Sequence, residues 1–238
     1  MLTNTSFNLP TLTKWHQSKL LSCAEKVLTM QQQMLTHSGK NILHYTLQKK
    51  RRHTRMNHYP KGDRIDHNTG AQYFYHCHRE NLESSEHGHF HCFLRYKHIP
   101  KHCKPTPLFD WDKYIDNPMT HLIAIAMDRF GQPIRLFTVN RWVTSEVWYD
   151  ALHVPKFINR FKMTKTDDPY WQVLDHWIDN LLKIFSPQIA WLHQQRDLSI
   201  AHHQLQHPDN NVYEDSTIED LSEISIDLKH QIQWIIGG

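Results

Sequence analysis

The first ordered pattern along the chain is an apolar stripe at three- and four-residue spacing: Leu20, Leu21, Ala24, Val27, Leu28, Met34 and Leu35, with Gln31 in phase. That period predicts an amphipathic helix. Thr11 or Thr13 can cap its start, and Gly39 is placed to end it. A shorter helical stretch follows over about residues 41–50, and His58-Tyr59-Pro60-Lys61-Gly62-Asp63 reads as a turn-rich connection.

In the middle third the period falls to two. Alternating histidine, aromatic and cysteine residues predict strands over about residues 71–79 and 87–96. A third strand runs over residues 120–127 and is apolar on both faces, which places it centrally with both sides covered. Residues 128–132 turn the chain into a fourth strand over about 133–142. The last third is helical again. Asp168-Pro169 is a start signal ahead of Trp171, Leu174, Trp177, Ile178, Leu181, Leu182 and Phe185. Ser186-Pro187 repeats the signal for a helix through about residue 198, and Ser216-Thr217-Ile218-Glu219 has the form of a capping box. The expected fold is therefore α+β: a four-stranded antiparallel sheet with N- and C-terminal helices packed on it. One domain over 1–238 accommodates this, with a helical segment 1–55, the sheet 70–142 and a helical segment 144–238.

Composition narrows the class. An apolar fraction of 39% with 21% charged residues suits an ordered globular chain. No apolar run approaches the roughly 20 residues of a membrane span, and the N-terminus lacks a signal peptide's basic and apolar regions. A cytoplasmic protein with no membrane partner is expected. Cys23, Cys77, Cys92 and Cys103 form no C-x-x-C pair and read as buried reduced thiols. Lys49-Lys50-Arg51-Arg52-His53-Thr54-Arg55 would attract phosphate, but no zinc-finger or RRM signature accompanies it, so a nucleic-acid partner is not expected. Seven acids between residues 208 and 228 oppose that basic run.

The chemistry concentrates in histidine. Five of the 21 histidines lie between residues 76 and 91, as His76-x-His78 and His87-x-His89-x-His91. Period-two alternation puts each set on one face of its strand, and a hairpin brings both sets to one side of one sheet. One register opposes Glu80 to His87, His78 to His89 and His76 to His91, and a slip by two residues preserves the shared face while changing partners. Five adjacent imidazolium charges would repel, so the patch must stay neutral on a metal or be compensated by an anionic ligand. Zinc or non-haem iron suits such ligands. The expected metal ligands are His76, His78, His87, His89 and His91, with Glu80, Glu83 or Glu86 as acid or base. Glu86 points to the other face if the second strand already begins there. His121 reads as a core histidine or a further ligand, and the i, i+4 pair His203 and His207 as a solvated helix end.

His87-Gly88-His89-Phe90-His91-Cys92-Phe93 also resembles the histidine-triad motif of nucleotide hydrolases and transferases, with Gly88 where an apolar residue is usual. That resemblance implies phosphate-ester chemistry with His89 as nucleophile. Over a longer stretch, His58-Tyr59-Pro60-x-Gly62-Asp63, Gln72-Tyr73-Phe74-Tyr75-His76-x-His78, Glu86-His87-Gly88-His89-Phe90-His91-x-Phe93 and Ser222-Glu223-Ile224-x-Ile226-Asp227 resemble an uncharacterised bacterial protein family. This implies a bacterial source and supplies no activity. Three functions follow from the histidine face: a metal-dependent enzyme on a small-molecule substrate, a histidine-triad-like phosphate-ester enzyme, and a non-enzymatic interaction protein.

Overall fold

A computed structural model describes residues 7–47, 57–77, 85–108, 118–164, 166 and 168–238. Helix α1, Lys14–Ser38, begins where the Thr13 hydroxyl accepts from the His16 N–H. It ends at Gly39, whose φ of 61° is the left-handed cap that glycine adopts without a Cβ clash. Helix α2, Ile42–Thr46, is capped by Asn41. The strands are β1 Tyr59–Ile65, β2 Ala71–His76, β3 Gly88–Arg95, β4 Met119–Met127, β5 Pro133–Val139 and β6 Asp220–Ser225. Between β5 and β6 lie α3 Arg141–Thr144, α4 Val154–Arg160, α5 Pro169–Ile184 and α6 Ser186–Gln206, and α7 Leu228–Gly237 follows β6.

The class is α+β with helices from both ends of the chain on an antiparallel sheet, but the sheet has six strands in the order β1-β2-β3-β4-β5-β6, not four. Both additions sit at edges. β1 occupies the stretch read as a turn. Its turn chemistry is real, since Gly62 and Asp63 have φ of 83° and 61°, but it forms a bulge within the strand: the six residues Tyr59 to Arg64 of β1 lie against the three residues Tyr75 to Tyr73 of β2. β6 follows the supposed capping box. There Asp215 accepts from the Thr217 N–H at 2.9 Å and closes a turn, so the chain leaves as a strand and the next helix waits until Leu228. The Thr138 and Ser222 hydroxyls, 2.6 Å apart, tie β6 to β5 across more than eighty residues of sequence.

One face of the sheet carries the main core. Tyr73, Tyr75, Phe90, Ile123, Ile125 and Leu136 pack with Ala24 and Val27 of α1, Leu174, Trp177 and Leu181 of α5, and Leu192 of α6. β4 lies inside the sheet, and its run Leu122 to Met127 is apolar and buried on both faces, as its sequence predicts. Ile123, Ile125 and Met127 join the helical core, while Ala124 and Ala126 turn to the other face under Phe137 and Val139. Their small side chains leave room there for the residues of β2 and β3. No helix among the described residues is long and apolar enough to cross a membrane.

Candidate metal centre

Register decides which histidines meet. β2 and β3 pair antiparallel with His76 opposite His89, Tyr75 opposite Phe90 and Phe74 opposite His91. This is the register slipped by two residues. Because Tyr75 and Phe90 enter the helical core, the alternation sends Phe74, His76, His89 and His91 to the opposite face. A bulge then recruits a further imidazole. Cys92 pairs with Ile123, but Phe93 pairs with His121, so Leu122 is the extra residue and His121 is brought to the side of Phe93 and His91.

The three buried rings converge. One ligand nitrogen from each of His76, His89 and His91 lies within 4.8 Å of the other two. His76 Nε2 and His89 Nε2 are 2.6 Å apart. The other His89 nitrogen, Nδ1, is 2.7 Å from Glu86 Oε1, and Glu86 Oε2 accepts from Arg135 Nη2 at 3.0 Å. Arg135 is fixed in turn by Asp220 and Glu223 of β6. His91 Nδ1 is 3.1 Å from His121 Nε2. A carboxylate at Nδ1 makes that nitrogen the donor and directs the Nε2 lone pair of His89 toward the cluster.

The rings sit among aromatic walls. Phe137 lies edge-on to His89 at 5.0 Å, and Phe74 is 5.2 Å from His91. Beyond Phe74, His58 stacks on its ring at 3.6 Å and bonds Asp63 at 2.7 Å. Asp63 also accepts from Gln72. Burial drives His91 well below the ordinary imidazole range, and the adjacent His89, His121 and His76 add to the effect. Burial likewise pushes His121 down to about 3. For Glu86 burial acts upward, yet the bonds from His89 and Arg135 outweigh it and the carboxyl ends below its usual range. Burial therefore favours the neutral rings of His91 and His121 beside one ionised carboxylate.

The other expected site residues fall elsewhere. His78, Glu80 and Glu83 lie outside the described residues, as does the basic run 49–55. His87 does not share the face of His89 and His91. β3 starts at Gly88, so His87 precedes the alternation, and its Nδ1 lies 2.7 Å from the Tyr75 hydroxyl and 3.9 Å from Cys77 Sγ on the helical side. Gly88 permits this approach: a Cβ there would overlap the His76 carbonyl oxygen and sit 2.7 Å from the Tyr75 hydroxyl oxygen. The histidine-triad resemblance sets His87 beside His89, and the structure parts them. Glu86 also precedes the strand, which frees it to turn back on His89. With both oxygens engaged it holds a ring in place, in contrast to the expected acid or base.

Cys77 and Cys92 are buried free thiols on the opposite side from the triad. His203 bonds Asp215 at 2.9 Å at the end of α6. Two participants carried little or no signal in the sequence. His121 needed the bulge, and Arg135 lies forty-nine residues from the glutamate that it holds.

No curated protein and no solved structure matches this chain. The family model for a domain of unknown function, DUF6969, matches residues 21–226 and so takes in every strand and the whole histidine cluster. The chain belongs to that family, the domain of unknown function DUF6969.

Proposed function

We propose that His76, His89 and His91 bind one divalent metal ion, zinc in preference to iron, and that the protein is a metal-dependent hydrolase acting on a small-molecule substrate. The observation that carries this reading is the convergence of three buried imidazole nitrogens within 4.8 Å, with a carboxylate behind one of them. Metal–nitrogen bonds of about 2.0–2.1 Å at tetrahedral angles set ligand nitrogens about 3.3 Å apart. Ring rotations of about 1.5 Å or less reach that spacing from the observed one. Three neutral imidazoles without a carboxylate ligand favour zinc, because non-haem iron oxygenases use two histidines and a carboxylate. Glu86 is committed to His89 and Arg135 and does not supply that carboxylate.

A zinc ion held by His76, His89 and His91 would supply Lewis acidity, able to activate water and to polarise a carbonyl or phosphoryl oxygen. The protein's own residues perform the remaining tasks. Glu86 fixes the His89 tautomer, Arg135 fixes Glu86, and Phe74 and Phe137 keep water from the flanks of the rings. Burial keeps His91 unprotonated and available.

Elemental analysis of protein purified without an affinity tag should find close to one equivalent of zinc. His89→Ala should reduce that content to background while retaining a folded far-UV spectrum. A folded wild-type protein that takes up neither zinc nor iron from a chelator-buffered solution overturns the proposal. Stoichiometric iron with no zinc overturns the choice of metal.

A further inference from the structure

A second site lies beyond the opposite end of β3. Tyr96 is five residues past His91, which at about 3.3 Å per residue places it about 16 Å along the strand from the triad. There the chain makes two consecutive turns, in which Ile99 N–H donates to Tyr96 O at 3.0 Å and Cys103 N–H donates to Pro100 O at 2.8 Å. They present Lys97, Lys101 and Lys104 around a pocket of about 450 Å³, whose other lining residues are Tyr96, Ile99, Pro100, Cys103 and Tyr149. That volume is in the range that accepts a small organic ligand. Among the described residues no acidic side chain lines it, and the three ammonium groups contribute a positive potential to the cavity.

The floor supplies the second observation. Tyr149 is fully buried, and its hydroxyl has no hydrogen-bond partner among the described residues. Its place is otherwise secured: its carbonyl oxygen accepts from Arg196 at 2.6 Å, and its ring lies edge-on to Phe157 at 5.0 Å. Burial raises the phenol above its ordinary range, so the group stays an O–H donor. A buried hydroxyl without a partner costs about 1–3 kcal/mol, a penalty that a ligand acceptor in the pocket removes.

We propose that this pocket binds a small phosphate ester, with the phosphate held by Lys97, Lys101, Lys104 and the Tyr149 hydroxyl and the organic body against Tyr96, Ile99 and Pro100. A phosphate monoester matches three lysines better than a carboxylate does, because it carries about −1.5 to −2 at neutral pH and three acceptor oxygens. The apolar wall gives an ester an advantage over the free anion.

Titration calorimetry with adenosine monophosphate, inorganic phosphate and adenosine tests the proposal on the full-length protein. Adenosine monophosphate should bind saturably and at least about tenfold more tightly than either of the other two, the difference expected when one further contact of about 1.4 kcal/mol is made. Tyr149→Phe should weaken binding about tenfold, since one hydrogen bond to a charged oxygen is lost. The same variant should melt no lower than wild type, because it removes a hydroxyl that has no hydrogen-bond partner among the described residues. Lys101→Ala with Lys104→Ala should abolish saturation. Absence of saturation by adenosine monophosphate overturns the proposal, as does equal affinity for inorganic phosphate. Binding that Tyr149→Phe leaves unchanged overturns it too, because surface charge alone would then account for the heat.

Discussion

Replacing Glu86 by glutamine separates a metal-supporting role from a merely structural one. The glutamate contributes two contacts, 2.7 Å to His89 Nδ1 and 3.0 Å to Arg135 Nη2, and these partners keep it ionised against the opposing effect of burial. Glutamine preserves the volume and can still accept from His89 through its oxygen. It loses the charge and turns an NH₂ toward the Arg135 guanidinium, donor against donor. Charge-assisted bonds of this kind contribute about 1.5–3 kcal/mol each, so the metal-free protein should lose about 2 kcal/mol. For a domain of this size that lowers the melting temperature by about 4–8 °C. Outer carboxylates typically account for about 10–100-fold in metal affinity, so the zinc dissociation constant should rise by that factor. Competition against a chromophoric chelator reads the affinity, and calorimetry of the apo form reads the stability. A lower melting temperature with zinc affinity within about threefold of wild type would refute the carboxylate–histidine–metal argument, because that factor is below the range such partners produce.

Zinc at about 100 times its dissociation constant should stabilise the wild-type protein by about 2.7 kcal/mol, and His76→Ala should remove the gain seen in a thermal melt. Gly88→Ala forces a Cβ against the His76 carbonyl and the Tyr75 ring, so chemical denaturation should show a loss of about 1–3 kcal/mol and zinc affinity should fall with it. Trp177→Ala empties the middle of the helical core and should cost about 3–5 kcal/mol in the same assay, with metal stoichiometry retained in the folded fraction. His193, fully buried with Nε2 on the Leu122 carbonyl, is driven well below its ordinary range by burial. The unfolded chain then binds the proton more readily, so the stability that the neutral ring supports is present above about pH 6.5 and lost as pH falls. Glu146 has the opposite sign: burial raises it to about 7, so its contribution is full below about pH 4.5 and lost as pH rises through 7. Urea midpoints between pH 8 and 4 should flatten at the acid side in His193→Gln and at the neutral side in Glu146→Gln, and unchanged slopes in both would refute the assignments.

How far the fold was legible can be argued from particular elements. α1 and α5 were readable because a buried stripe at helical period and their caps, Thr13 with Gly39 and Asp168 with Pro169, are local properties. β1 and β6 were not. At β1, Gly62 and Asp63 signal a turn whether they close a loop or bulge a strand, and only the partner strand distinguishes the two. At β6, Ser216 to Glu219 satisfies a helix-start pattern, but Leu221 and Ser222 find partners on α6 and β5 far away in sequence.

For the site, the sequence by itself set His89 and His91 on one side of their strand, because period-two alternation is a property of each segment alone, and it expected His76, His78 and His87 to share that side once the segments paired. It also determined that such a patch must remain neutral or be compensated. Tertiary structure decided the rest. Pairing β2 with β3 set His76 opposite His89, starting β3 at Gly88 sent His87 to Tyr75, and the extra residue in β4 delivered His121 to His91. Glu86 acquired its place through Arg135 and, behind it, β6. Register, bulges and long-range ion pairs depend on the energy of whole strands packed together, so no local window of sequence contains them.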